Sequence, residues 1–428
     1  MNKIVYLIYE VEKRELLSRL FLGHKIVRDI PGAEIVIIQH SELFKIALFR
    51  RPGIVILKSC PIQYLRILKI MKLRGFQIIL LQEEGIHYSE LTSEQLEFSS
   101  NCARYIDIYL AWHEKDSLFA QKMGIDKGRI SIVGNVRFEL ARKMFFGKFN
   151  NSFSELRILV LENFSMRSVY KKYNVDSMQF LAKSAQSSIL VHLEKMIYAA
   201  NLNEKMYLAT YDEFRKNSIG FVVRKYTLRD NSEKYPLTFY DEKSNILESL
   251  ECCNVVVHYG STAGLEAILS GRLSLILSDH RVKVYDERIG KSSFEFTKIP
   301  DLINYLAQIN QSTLNEDLQK QFRNLCDAYG MSENSFESSV KIVEVIVGIN
   351  TCTTSTLKNR IYFVSICFPL AIKSLILFLA RKNSKVNPKA SKILLKNLIT
   401  HAGFLGINLF DQKVSISRNR KSLNLKSY

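Results

Sequence analysis

The densest chemical signal in the chain is His258–Gly271, HYGSTAGLEAILSG, which begins where the apolar run Asn254–His258 ends. Gly260, Ser261 and Thr262 put a glycine and two hydroxyls at the point where a strand hands over to a helix. Free backbone N–H groups there, together with the positive end of the helix dipole, can hold a phosphate. Glu266 falls one helical turn after Thr262, so its carboxylate could reach the hydroxyls of a ribose whose phosphate is held at the helix start. The same residues also fit an ordinary capped helix, with Ser or Thr as the cap and small residues for close packing. His258 is grouped with this phosphate-binding set, although a lone histidine is ordinarily structural, and neither it nor His280 has a spaced partner that suggests a metal.

A second constellation is Gln82–Tyr88, QEEGIHY, directly after the apolar run FQIILL. Glu83, Glu84 and His87 offer two carboxylates and an imidazole at a strand's carboxyl end, from which a general base could be drawn. Only one of the two glutamates need face a ligand, and solvated loop acids are the alternative. Glu10, at the end of the first apolar run, and Arg14 just beyond it could contact a second substrate, or could simply open a solvated helix. Arg224, ending the run GFVVR, could pair with a diphosphate or carboxylate, or be a surface cation. Trp112-His113-Glu114 reads as the cap of the next helix, and Gly134-Asn135-Val136-Arg137 as a turn closing the first domain. Neither a Walker A sequence nor GxGxxG is present, which argues against P-loop ATPases and dinucleotide oxidoreductases.

These residues are spaced by elements that position them. Ile4–Tyr9, Glu34–Ile38, Gly53–Leu57, Phe76–Leu81 and Ile106–Ala111 are short, rich in β-branched residues and apolar on both faces, the pattern of buried parallel strands. Helical stretches, Arg14–Ile30, Pro61–Arg74 and Glu114–Met123, lie between them. The alternation restarts at Leu156–Leu161, passes a long helical region, Ser177–Leu202, and continues through Gly220–Arg224, Asn254–His258 and Leu273–Leu277. The expected fold is α/β, with two Rossmann-like domains, 1–145 and 156–345, facing a cleft. Ligands of such sheets bind beyond the carboxyl ends of the strands.

Composition narrows the class further. The 428 residues carry a net charge of +18, and 351–428 hold 14 Lys and Arg against one acid, Asp411, and so carry +13 of it. A nucleic-acid-binding domain shows its basic stripe on the folded body, so an anionic membrane surface, not nucleic acid, is the expected partner of this tail. Ile361–Ala380 is 20 residues long and apolar, but it contains Pro369 and Lys373. A Lys near the middle of a span costs roughly 2.5–3.5 kcal/mol. Peripheral attachment is therefore expected, with the basic amphipathic stretch Lys385–Asn397 at the headgroups and the last dozen residues as a disordered basic tail. Packing of this region back onto the body is the alternative. Seven scattered cysteines without a CxxC pair point to neither zinc nor disulfides, and the first apolar run, about six residues before Glu10, is too short for a secretory signal. A cytoplasmic location is expected.

The order EKRELLSRLFLGHKI, QEEGIHY, DIYLAWHEKDSLFAQKMGIDKGRISIVGNVRFEL, RILVLENFS and HYGSTAGLEAILSG resembles the bacterial surface carbohydrate biosynthesis proteins across about residues 1–345. That family is similar in outline to Kdo transferases and CDP-glycerol glycerophosphotransferases and has the two-domain GT-B architecture. The resemblance implies an inverting, metal-independent glycosyltransferase without a cofactor, on the inner face of a bacterial membrane. Its expected substrates are a nucleotide-sugar donor, CMP-linked or otherwise cytidine-linked, and a lipid-linked glycan acceptor. It further implies donor-phosphate contacts from Ser261 and Thr262, a ribose contact from Glu266, and an acceptor near Glu84. Where relatives carry an Arg-Pro-His-Pro-like segment, this chain has Arg224-Lys225-Tyr226-Thr227, keeping the Arg alone. A CDP-glycerol-type polyol-phosphate transferase, a nucleotide-sugar epimerase and an inactive assembly scaffold are the alternatives.

Overall fold

The structure is a computed structural model and describes residues 3–83, 100–145, 156–162, 206–225, 245–278, 287–331, 336–349, 414–416 and 422–426. The chain begins with β1 (Ile4–Tyr9), α1 (Glu12–Asp29), β2 (Glu34–Gln39), α2 (Leu43–Phe49), β3 (Ile54–Leu57), α3 (Leu65–Leu73), β4 (Gln77–Leu81), α4 (Ser100–Ala103), β5 (Ile108–Ala111), α5 (Glu114–Lys122), β6 (Ile130–Ile132) and α6 (Val136–Phe145). It continues with β7 (Ile158–Glu162), helical residues 206–216, β8 (Phe221–Lys225), α7 (Ile246–Glu251), β9 (Val255–His258), α8 (Thr262–Leu269), β10 (Leu273–Leu277), α9 (Glu287–Ser292), β11 (Phe294–Phe296), α10 (Ile299–Gln308) and α11 (Gln311–Tyr329). The last elements are α12 (Ser338–Gly348), β12 (Val414–Ile416) and β13 (Ser422–Lys426).

Two compact units result, and the division falls between Leu140 and Ala141, inside α6. The first unit holds one sheet in the order β12-β13-β2-β1-β3-β4-β5-β6, and the second a sheet in the order β11-β10-β9-β7-β8. From β1 to β6 and throughout the second sheet the pairing is parallel. Counting parallel strands within each unit, the second follows the order 2-1-3-4-5, the flavodoxin-like variant of the doubly wound sheet, and the first extends the same order by one strand to 2-1-3-4-5-6. This order places a topological switch point between β1 and β3 in the first unit and between β7 and β9 in the second.

The runs that read as strands are strands because both of their faces are covered. Val5, Leu7, Ile35, Ile37, Ile54, Ile56 and Ile79 share one core with Leu20 and Ile26 of α1 and with Ile342, Val343 and Ile346 of α12. The alternate residues Tyr6, Ile8, Val36, Val55, Ile78 and Leu80 are buried as well. Burying apolar side chains on both faces is what a parallel sheet requires. In the second unit Ile158, Val160, Val223, Val255, Val257, Leu273 and Leu275 pack with Tyr207, Tyr211, Phe214, Leu302 and Leu318.

Two expectations of domain organisation need correction. Residues 336–349 do not end the second domain: α12 belongs to the first unit. Both carboxylate oxygens of Glu139 accept there, from the Ser339 N–H (2.7 Å) and hydroxyl (2.8 Å), and Lys3 donates to the carbonyls of Ile346 and Val347. The final residues are not wholly without structure either. β13 pairs antiparallel with β2, Leu423 opposite Ile37, and so covers what would otherwise be an open strand edge. The expected helix Ser177–Leu202 and the apolar stretch Ile361–Ala380 lie outside the described residues. Among the described residues no helix is long and apolar enough to cross a membrane.

Candidate functional site

In the second unit, β9 is buried along its whole length and ends on His258 at the switch point. The imidazole is fully buried, and its Nδ1 accepts from the Ser261 N–H at 3.1 Å. A ring nitrogen that accepts carries no proton, so Nε2 bears it and donates to Ser274 Oγ at 2.7 Å. Burial lowers the histidine pKa to about 3, which keeps the ring neutral. Gly260 turns the chain with φ of 56°, in the left-handed region that favours glycine. Ser261 caps α8, its hydroxyl accepting from the Ala263 N–H and its carbonyl from the Gly264 N–H. A Cβ on Gly264 would overlap the imidazole of His258, so ring and helix touch directly.

This turn commits some amides and leaves others. The N–H groups of Ser261, Ala263 and Gly264 are used internally, whereas those of Gly260 and Thr262 have no acceptor among the described residues. Two such donors at the start of a helix, with the Ser261 and Thr262 side chains half-buried beside them, are an arrangement that can cradle an anion. Of the expected contacts, Gly260, Ser261 and Thr262 are brought together here. His258 is a correction: both ring nitrogens are engaged within the protein, so it holds the turn and does not present a face to ligand. Glu266 is buried one turn into α8, and Arg224 donates at 2.5 Å to Ser249 Oγ, within α7.

The first unit carries a charged cluster at its own switch point. Glu10, directly after β1, accepts from the Ser59 hydroxyl at 2.6 Å and from Lys58 at 3.4 Å, and both of these residues follow β3. Lys58 is buried and also donates to Glu15 at 2.8 Å. Glu15 takes the Glu10 and Val11 N–H groups and the guanidinium of Arg14. Burial pushes the Glu15 carboxyl up, but the charges of Lys58 and Arg14 and the hydrogen bonds from Lys58 and the Glu10 N–H outweigh it, bringing its pKa down to about 2. One helical turn on, Arg19 forks onto Glu83 at 3.0 and 3.2 Å and donates through Nε to the Ile8 carbonyl, with both side chains fully buried. Burial raises the Glu83 pKa, with Arg19 pulling against it.

Glu83 is therefore a second correction. Both of its oxygens are held by Arg19, and its own carbonyl accepts from Asn135 at 3.4 Å, so it is a buried structural partner instead of a free base. Glu84 and His87 lie outside the described residues. Glu10 and Arg14 do come together, but through Glu15 and Lys58. Sequence reasoning passed over those two, although a Lys and a Ser directly ending the all-apolar run GIVIL were a usable signal. His113 caps α5 as its position suggested, its Nδ1 accepting from the Asp116 N–H. The Gly134–Arg137 turn also forms, with Asn135 Oδ1 accepting from the N–H groups of Arg137 and Phe138. Among the described residues no group of three or more His, Cys, Asp and Glu is placed to hold a metal.

No protein-family model matches the chain, and no curated protein matches it. Among solved structures it is similar to the MnaA protein of S. aureus in complex with UDP, at 11% identity over 81% of this chain and 96% of that one, with a TM-score of 0.49. It is also similar to the wall teichoic acid polymerase TagF soaked with CDPG, at 10% identity over 81% and 87% of the two chains, TM-score 0.49. A UDP-GlcNAc 2-epimerase from Neisseria meningitidis bound to UDP-GlcNAc is similar at 12% identity over 82% and 100%, TM-score 0.47.

Proposed function

We propose that the chain is a glycosyltransferase of the GT-B kind, moving a sugar from a nucleotide-activated donor, cytidine-linked by the sequence resemblance, to a lipid-linked surface glycan. The observation that carries this reading is the Gly260 turn. It sits at the switch point of a doubly wound sheet, where such folds bind ligands, and it leaves the N–H groups of Gly260 and Thr262 to an anion at the start of α8. Negative charge builds on the donor phosphate as the glycosidic bond breaks, and fixed amide dipoles stabilise it without reorganising. Ser261 and Thr262 add hydroxyl donors, Glu266 and Arg224 are the candidates for ribose and phosphate, and Glu10 and Arg14 those for the acceptor. Deprotonation of the acceptor hydroxyl is assigned to Glu84, with His87 as the other candidate. The basic tail would keep the enzyme at an anionic membrane on the cytoplasmic side, where lipid-linked acceptors are extended.

The test is a donor panel of CMP-sugars, UDP-sugars and CDP-glycerol, offered with a membrane lipid extract and followed by release of nucleotide. Release that depends on acceptor and falls at least tenfold in Thr262→Val and Glu84→Gln supports the reading. Turnover of CDP-glycerol alone would assign a polyol-phosphate transferase, and interconversion of a UDP-sugar without acceptor an epimerase. Turnover of none, with no binding, would leave a scaffold.

A further inference from the structure

Ser274 is the middle of an unusual column of polar groups. It is the one hydroxyl in β10, LSLIL, a strand buried at all five positions. A hydroxyl in such a place costs free energy unless it is hydrogen-bonded, and here every polar atom of the residue is used. Its Oγ meets His258 Nε2 at 2.7 Å and Ser293 Oγ at 2.9 Å, while its N–H and carbonyl are both clamped by the side-chain amide of Gln321, at 2.9 and 2.7 Å. His258, Ser274 and Gln321 are wholly buried and Ser293 nearly so.

The Ser261 N–H fixes the first step along this column: His258 Nδ1 accepts from it, so Nε2–H donates to Ser274, and the Ser274 and Ser293 hydroxyls share the next bond. In the other tautomer a ring N–H would face the Ser261 N–H, donor against donor, and Nε2 would need a proton from Ser274. The Ser261 N–H therefore sets the tautomer, and the Ser274 hydroxyl, held in register by Gln321, anchors the far side of the ring so that Nδ1 stays on the turn. Because Gly264 lacks a Cβ, the ring lies flush against α8 and its orientation is passed directly to the residues at the helix start.

We infer that Ser274 and Gln321, which do not touch the anion cradle, are positioning residues for it: through His258 they hold the Ser261 N–H inward and leave the amides of Gly260 and Thr262 facing a phosphate. This rests on the phosphate reading of the Gly260 turn.

The test uses the full chain. Nitrogen-15 histidine spectra of the wild type should show His258 as the Nε2–H tautomer at neutral pH. Calorimetry with CDP and UDP should show Ser274→Ala binding on the order of tenfold more weakly than wild type, the effect of removing one buried hydrogen bond. His258→Asn, whose amide can accept from Ser261 and donate to Ser274, should retain more affinity than His258→Leu. An Nδ1–H tautomer in the wild type overturns the inference even if every variant fails to fold. A folded Ser274→Ala with wild-type affinity overturns it while sparing the phosphate reading. A wild type that binds neither nucleotide overturns both, even if the tautomer is as expected.

Discussion

Replacing Arg19 by Met should be the most damaging single change in the first unit. The guanidinium has no solvent exposure and makes three hydrogen bonds, two to Glu83 and one to the Ile8 carbonyl. Met fills much of the same volume but leaves the buried carboxylate without its cation. Removing one partner of a buried ion pair costs about 3–5 kcal/mol, and leaving the Ile8 carbonyl unpaired adds about 1 kcal/mol or more. Against a domain stability of roughly 5–15 kcal/mol, that is a large fraction. Trp112 is the only tryptophan and lies buried in this unit against Phe138, so its fluorescence follows the first unit selectively during urea unfolding. With a slope of about 2 kcal/mol per molar, the midpoint should fall by roughly 2–3 M. Arg19→Met combined with Glu83→Leu should recover most of the loss, because an apolar pair replaces the ion pair with no charge left buried. The folded-state pKa of Glu83 is already raised, and losing Arg19 raises it further, so the folded protein binds the extra proton and stability falls as pH rises. The deficit of the single variant should therefore narrow as pH is lowered from 8 to 5. A loss below about 1 kcal/mol, or a double variant no better than the single one, would refute the reasoning.

Other consequences can be checked alongside it. Glu15, with a folded pKa of about 2 and no side-chain exposure, contributes stability that is fully present above the ordinary carboxylate range and lost as pH falls through about 2; the shift corresponds to about 3 kcal/mol. Acid unfolding of Glu15→Gln followed by Trp112 fluorescence should lack this component, and an unchanged acid profile would contradict it. Glu139→Ala removes both acceptors of Ser339 and should destabilise the first unit by about 2–4 kcal/mol, seen as a lower urea midpoint. Gly264→Ala should weaken CDP or UDP binding on the order of tenfold or more, since the new methyl displaces His258. The full chain should sediment with vesicles containing anionic lipid and be released by raising salt from 0.1 to 0.5 M, both values being about the range over which screening becomes strong. Equal binding to neutral vesicles would remove the electrostatic account of the tail.

The nine runs from Ile4–Tyr9 to Leu273–Leu277 were legible as strands because a parallel sheet buries both faces, and that leaves uninterrupted apolar stretches in the sequence. β11, FEF, and α2, LFKIALF, were not, being too short for a period to show. The strand order, and the return of α12 to the first unit, depend on which elements meet in space. The Glu139 to Ser339 bonds span 200 residues and leave no local trace. The Gly260 turn and the start of α8 were visible because a left-handed turn and a helix cap need particular residue types. What could not be seen was which polar side chains turn inward. His258 and Glu83 sit within the two motifs that stand out in sequence, yet their partners, Ser274 and Arg19, lie 16 and 64 positions away and decide their roles.

The measurement that bears most directly on the central claim is a crystal structure of the full chain soaked with CDP. The account places phosphate oxygens about 2.7–3.2 Å from the N–H groups of Gly260 and Thr262, with His258 unmoved and still bonded to Ser274. Nucleotide bound with its phosphates away from that turn, or a cradle occupied by a protein group in the bound state, would contradict it.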